Sequence, residues 1–242
     1  MLFRSAGALQ ISTPTFELVI PSTKKKIKYR PFLVKEEKVL VMAMESEDME
    51  QIARAIKDVL SNCILTRGVK VEKLSTFDIE YLFLNVRGKS VGESVDVIVT
   101  CTDDNETKVP ITVFIDEIKV VEDPEHTTDI KVDDTLTLRM KYPSLSEFID
   151  QNFGAGVDLN ASFDVIAACV EMVFSAEETW EAKDHTKKEW LEFIEQLNSS
   201  QFKEIEKFFN TMPKLSHTVK FDNPNTGVEN ELVLEGLASF FS

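Results

Sequence analysis

The clearest pattern of apolar and polar positions lies at residues 47–65. There Met49, Ile52, Ala53, Ile56, Val59, Leu60, Cys63 and Ile64 recur at i, i+3, i+4 and i+7, which predicts a helix with one buried stripe. Upstream, Thr15-Phe16-Glu17-Leu18-Val19-Ile20 alternates loosely and stops at Pro21-Ser22. After Lys24-Lys25-Lys26, residues 27–30 alternate again, and two short strands around a polar turn predict a hairpin. Pro31 follows at once. Proline is tolerated in a first helical turn, so a helix is predicted from there to Glu45-Ser46, with Lys35, Glu36, Glu37 and Lys38 on its solvent side. Ser75-Thr76-Phe77-Asp78 has the form of a capping box and opens a third helix through Tyr81, Leu82, Leu84 and Val86, closing near Gly88.

The period then changes to two. Val95, Val97, Val99 and Cys101 alternate with Asp96, Ile98 and Thr100, turn at Asp103-Asp104-Asn105, and return over residues 109–115. Pro110 marks the returning arm as an edge or bulged strand, because it has no N–H for a ladder. Residues 118–121 are predicted to extend this sheet, and 122–129 to form an exposed acidic loop carrying His126. A further antiparallel hairpin spans 130–142, turning at Asp133-Asp134.

A second helical stretch follows. Pro143-Ser144-Leu145-Ser146-Glu147 starts a short helix, and Ser162 is expected to cap another whose buried face is Phe163, Ile166, Ala167, Val170 and Val173. Thr186 with Glu189 caps a third, through Trp190, Leu191, Ile194 and Leu197. Ser200 starts a fourth with Phe202, Ile205, Phe208 and Phe209 inward, ended by Met212-Pro213. In the tail, Leu215, His217, Val219 and Phe221 alternate into the turn Asn223-Pro224-Asn225-Thr226-Gly227, and residues 232–234 return. The expectation is an α+β protein in which helical layers alternate with antiparallel β-hairpins, with a weak internal repeat of that order at 34–118 and 144–237. Its segments are an N-terminal arm and hairpin (1–30), a helical layer (31–90), a β region (91–142), a second helical layer (143–212), and a closing hairpin with a short helix (213–242).

Charge divides the chain. The net charge is −15, yet residues 1–90 carry +4 and residues 91–242 carry −19. So acidic a body argues against nucleic acid as the ligand, since phosphate binding needs a basic surface. A two-signed molecule suits oriented docking onto protein partners. No apolar run approaches the ~20 residues of a membrane helix, and the N-terminus is too short and weakly apolar for a secretory signal. Those features point to a cytoplasmic protein without a membrane partner.

Little in the sequence selects chemistry. Cys63, Cys101 and Cys169 are odd in number and scattered, which is no disulfide framework and offers no C-x-x-C pair for zinc. His126, His185 and His217 lie apart from any nucleophile motif, and Gly154-Ala155-Gly156 lacks the strand and third glycine of a phosphate cradle. Glu177, Glu178, Glu181 and Asp184 cluster around Trp180 without the ligand spacing of a calcium loop. The expectation is a protein without enzymatic activity, cofactor or metal. The rival is a hydrolase, metal-dependent or built on a carboxylate pair, because abundant acids can supply such a pair in space.

Three stretches together carry a resemblance. Residues 27–44, the helix end Leu60-Ser61-Asn62-Cys63, and Leu74-Ser75-Thr76-Phe77-Asp78-Ile79-Glu80-Tyr81-Leu82-Phe83-Leu84 resemble the T-even-type myovirus baseplate hub and hub-assembly family, in the version of T-even-like cyanobacterial phages. The resemblance is strongest over 14–118. It implies a tail morphogenesis factor that binds other phage baseplate hub proteins, as an assembly chaperone or a minor hub subunit, with no catalytic residues to transfer. Some relatives carry cysteine pairs at the hairpin turns in the manner of zinc knuckles. This chain has Cys101 alone and none in Phe221-Asp222-Asn223-Pro224-Asn225, which counts against a metal. The basic third adds a candidate docking surface for an acidic partner: Lys24, Lys25, Lys26, Lys28, Arg30, Phe32 and Lys35.

Overall fold

The computed structural model describes residues 12–46, 48–145 and 159–240. A hairpin of β1 (Phe16–Val19) and β2 (Lys26–Tyr29) leads into α1 (Val34–Glu45), α2 (Met49–Cys63) and α3 (Thr76–Val91). Strands β3 (Ser94–Thr100), β4 (Lys108–Phe114) and β5 (Lys119–Val121) follow, then β6 (Asp129–Lys131) and β7 (Thr137–Met140). The last third runs α4 (Leu159–Cys169), β8 (Val170–Phe174), β9 (Thr179–Glu181), α5 (Lys187–Ile194), α6 (Ser199–Thr211), β10 (Lys214–Asp222) and β11 (Glu229–Glu235). This is the expected α+β mix. The strands pair antiparallel in four small sheets, ordered β1-β2, β3-β4, β11-β10-β5 and β6-β7-β8-β9.

Three apolar clusters hold these elements. In the first, Ile20, Ile27 and Tyr29 of the N-terminal hairpin meet Leu40, Val59, Leu60 and Cys63, with Ile52, Ala53, Ile56 and Ile64 partly buried beside them, so from Ile52 on the stripe predicted for α2 faces this cluster. In the second, Leu138, Met140 and Val173 of the four-stranded sheet lie under Trp190, Ile194, Ile205 and Phe208. In the third, Val95, Val97 and Val99 face Leu215, Val219 and Leu234, which brings the two predicted hairpins of 94–114 and 214–235 together.

Helix α3 joins the first cluster to the third. Leu82 and Val86 enter one and Leu84 the other, so the helix is buried on opposite sides and lacks a polar face. It also runs past Gly88, where an end was expected. A Cβ at Gly88 would stand 3.0 Å from Ile115 Cδ1, so glycine there serves close packing rather than termination.

Other expectations are corrected by long-range contacts. A 3-10 turn at Ile115–Glu117 redirects the chain, so β5 pairs with β10 instead of extending β3-β4. Pro110 does lie in an edge strand, opposite Ile98. Val170 and Val173 are in a strand, since the helix ends at Cys169 and the chain then pairs with β7. Ser162 falls inside α4, which begins at Leu159. His126 is not loose in an exposed loop. Its Nδ1 lies 2.9 Å from Thr211 Oγ1 and its Nε2 3.0 Å from the Tyr142 hydroxyl, while the ring packs on Phe208. Burial pulls its pKa below the ordinary histidine value. The first eleven residues of the N-terminal arm, the Ser146 and Glu147 of the short-helix start, and Gly154-Ala155-Gly156 lie outside the described residues.

Candidate functional site

Two polar junctions position the residues on which a functional reading turns. The first is the elbow between hairpin and helix. Alternation in β1 and β2 sends Ile27 and Tyr29 inward and leaves Lys26 and Lys28 outward, across the ladder from Val19 and Glu17. Glu17 pairs with Lys26 and lies 3.9 Å from Lys28. Lys24 occupies the left-handed backbone region, φ 55°, at the turn, and its ammonium reaches Glu122 at 3.0 Å. Lys25 makes no ion pair among the described residues. Four lysines on this tip therefore face two glutamates, and all four side chains are open to solvent.

Arg30 and Phe32 are placed differently. The Arg30 guanidinium forks onto Glu36, Nη2 to Oε1 at 2.9 Å and Nη1 to Oε2 at 3.3 Å, and also donates to the Pro31 carbonyl at 2.8 Å. The Leu33 N–H donates to Glu36 Oε2 at 2.6 Å. The Glu36 side chain is only 4% exposed, which corrects its expected place on the solvent side. The Arg30 guanidinium draws this carboxylate inward, where the Leu33 N–H adds a further donor. Burial alone would raise the Glu36 pKa, but Arg30 and the Leu33 N–H outweigh it and hold the carboxyl below its usual value. Burial pushes the neighbouring Cys63 thiol up to about 11 despite the pull of Arg30, so it is an inert core thiol. Phe32 is half-buried against the first cluster, and its N–H donates to Ser90 Oγ at 2.9 Å. Lys35 stands exposed at 3.6 Å from Glu36. Of the seven candidate docking residues, Lys24, Lys25, Lys26 and Lys28 share one exposed tip, Lys35 lies beyond the elbow, and Arg30 and Phe32 build the elbow itself.

The same region shows how a short motif is diverted. Ser75 precedes α3 as predicted, but its hydroxyl donates to Asp78 Oδ2 at 2.5 Å instead of accepting a backbone N–H. Asp78 is fully buried and also accepts from the Ser22 N–H at 2.9 Å and from the Ser22 hydroxyl. The pair thus ties the turn after β1 to the helix start.

The second junction lies at the tips of the two longer hairpins, about 120 residues apart in the chain. Asn223, fully buried, donates through Nδ2 to Asp103 Oδ1 at 3.0 Å and to Asp104 Oδ2 at 2.9 Å. Its Oδ1 accepts from the Asn225 N–H at 2.9 Å, an Asx turn that fixes which end of the amide faces the carboxylates. Thr226 Oγ1 donates to Asp103 at 2.6 Å, and Asn230 Nδ2 adds a bond of 3.0 Å. Asn230 Oδ1 accepts from the Thr102 N–H at 2.7 Å and its hydroxyl at 2.8 Å, while Thr107 holds Asp104. These donors keep both carboxyls well below the usual aspartate range: Asn223 and Thr226 chiefly for Asp103, Thr107 chiefly for Asp104. Sequence reasoning missed Asn223 and Asn230. Their signal was present, since both tips are rich in turn-forming Asp, Asn and Thr, but nothing local says that one tip meets the other.

This junction also bears on the metal that the zinc-knuckle resemblance raised as an expectation. Cys101 Sγ and oxygens of Asp103 and Asp104 lie within 4.8 Å of one another, a set of metal-ligand type. The rest of the shell does not suit a cation. Zinc in a structural site takes four ligands, usually several of them thiolates, and here there is one thiol. Burial and the adjacent carboxylates raise its pKa, which disfavours the thiolate a metal needs. Both carboxylates are already engaged by the Asn223 amide, held N–H first, which donates and has no lone pair to offer a metal.

Among known proteins, the family model described as "T4 bacteriophage base plate protein" matches residues 13–242. The chain belongs to that family, and it is a T4-type phage baseplate protein. No curated protein and no solved structure matches it. Among the described residues no helix is long and apolar enough to cross a membrane.

Proposed function

We propose that this baseplate protein acts without catalysis, by binding other proteins of the baseplate hub while the hub is assembled, as an assembly factor or as a minor subunit. Family membership over nearly the whole chain supports a baseplate role. The observation that carries the docking step is the exposed lysine tip of the β1-β2 hairpin. Its four ammonium groups face two glutamates, so it keeps positive charge in a chain of net charge −15. Such a tip steers an acidic partner surface and orients the encounter. Arg30 and Phe32 take no direct part, because their side chains set the angle at which the hairpin leaves α1.

The test is co-expression with the phage's hub proteins, followed by co-purification at low and high salt. The wild-type chain is expected to retain a hub protein at low salt and lose it at high salt. Lys25→Glu with Lys28→Glu is expected to weaken retention at low salt. Retention unchanged by that double reversal would remove the lysine tip from the docking surface. Failure of every hub protein to co-purify would overturn the binding role. Mass spectrometry of finished tails then separates an assembly factor, absent from them, from a subunit.

A further inference from the structure

Helix α1 is apolar on sides that none of the described residues buries. Only Glu36, Leu40 and Ala43 are buried, and they mark its inward side. Of the fourteen exposed large apolar residues among those described, six fall at 33–44: Leu33, Val34, Val39, Val41, Met42 and Met44. Val34 at 73% and Met42 at 68% exposure are the most open of all fourteen. Single exposed apolar residues need no explanation, but six within one helix and its N-cap make a patch of the kind that becomes covered.

The side opposite the buried one has an order. Val34, Lys38, Val41, Met42 and Glu45 stand at i, i+4, i+7, i+8 and i+11, one straight stripe along the helix. Its centre reads lysine, valine, methionine, glutamate, with the charges three residues either side of the apolar pair. Among the described residues neither Lys38 nor Glu45 makes an ion pair. We propose that this stripe is an isologous interface with a second copy of the same chain, the two α1 helices packed antiparallel about a two-fold axis between Val41 and Met42. In that arrangement Val41 of each copy meets Met42 of the other, and each Lys38 meets the other's Glu45. An isologous contact requires a surface complementary to itself, and the opposite charges flanking an apolar pair meet that requirement. A parallel pairing sets lysine against lysine. The interface is independent of the lysine tip and of the baseplate reading, since it needs only this chain.

Sedimentation of the purified full chain over a range of concentrations tests it. The wild type is expected to be a concentration-dependent dimer. Met42→Glu, at a position open enough to leave the fold intact by its melting curve, is expected to be monomeric. By symmetry each single reversal, Lys38→Glu or Glu45→Lys, breaks two ion pairs and creates two like-charge contacts, weakening the dimer about tenfold. The double swap, Lys38→Glu with Glu45→Lys, is expected to restore it. A monomer at every concentration, a dimer indifferent to Met42→Glu, or single reversals that the double swap does not rescue would each overturn the proposal. So would a monomeric wild type that loses a hub protein on Met42→Glu, which would give this face to that protein instead.

Discussion

The elbow at Pro31 and the clasp at the hairpin tips fix the chain's course by opposite means. At the elbow a full positive charge, Arg30, is taken inside and answered by Glu36 six residues on, an ion pair that is nearly dry. At the clasp a neutral amide, Asn223, is taken inside and two carboxylates on a strand turn about 120 residues away point at it. The first joins neighbours in sequence and sets an angle. The second joins the middle of the chain to its end and sets a topology. The lesson concerns cost: a dry charge is tolerable only with its partner in place, whereas an amide asks less and can organise a junction whose acids stay at the edge of solvent.

The largest break in this comparison is expected from Arg30→Met. It strands Glu36 without its cation, and urea denaturation should show a loss of about 3–5 kcal/mol, the usual result of removing one partner from a buried pair. Arg30→Met with Glu36→Leu is expected to regain much of that loss, because the uncompensated charge goes with it. Should the double variant remain as unstable as the single one, the elbow depends on its hydrogen bonds to Pro31 and Leu33 more than on charge.

A smaller effect is expected at the clasp. Asn223→Ala removes a buried donor and an Asx turn, with a loss of about 1–3 kcal/mol by the same measurement. It should also flatten the response to acid. Asp103 and Asp104 have folded pKa values below their unfolded ones, so the stability they contribute is complete above about pH 4 and is lost as pH falls through the folded values. Without Asn223 the depression shrinks, and the melting temperature should fall less steeply below pH 4 than in the wild type.

The smallest expected effect concerns Cys101 and the acids of the clasp. Exhaustive chelation should leave the melting temperature unchanged, because the Asn223 amide already donates to the carboxylates a metal would need. A fall of several degrees, restored by stoichiometric zinc, would show that Cys101, Asp103 and Asp104 bind metal after all.

The sequence by itself determined whatever is settled within a few residues. The α2 stripe, the alternation of β3 and β10, the Thr186–Glu189 capping box and the turn residues at both hairpin tips were all readable, since periods of 3.6 and 2 and the hydrogen bonds of caps and turns are local properties. Tertiary structure decided the rest. Glu36 reads as a solvent residue until Arg30 draws it in, and Val170 reads as part of a helix until β7 offers it a ladder. Asp78 reads as a cap until Ser22 arrives from another turn. The meeting of Asp103 with Asn223, and the apolar stripe that α1 leaves uncovered, have no local signature at all. Each depends on which surfaces the three clusters bring face to face, and that is fixed by summed burial over the whole chain.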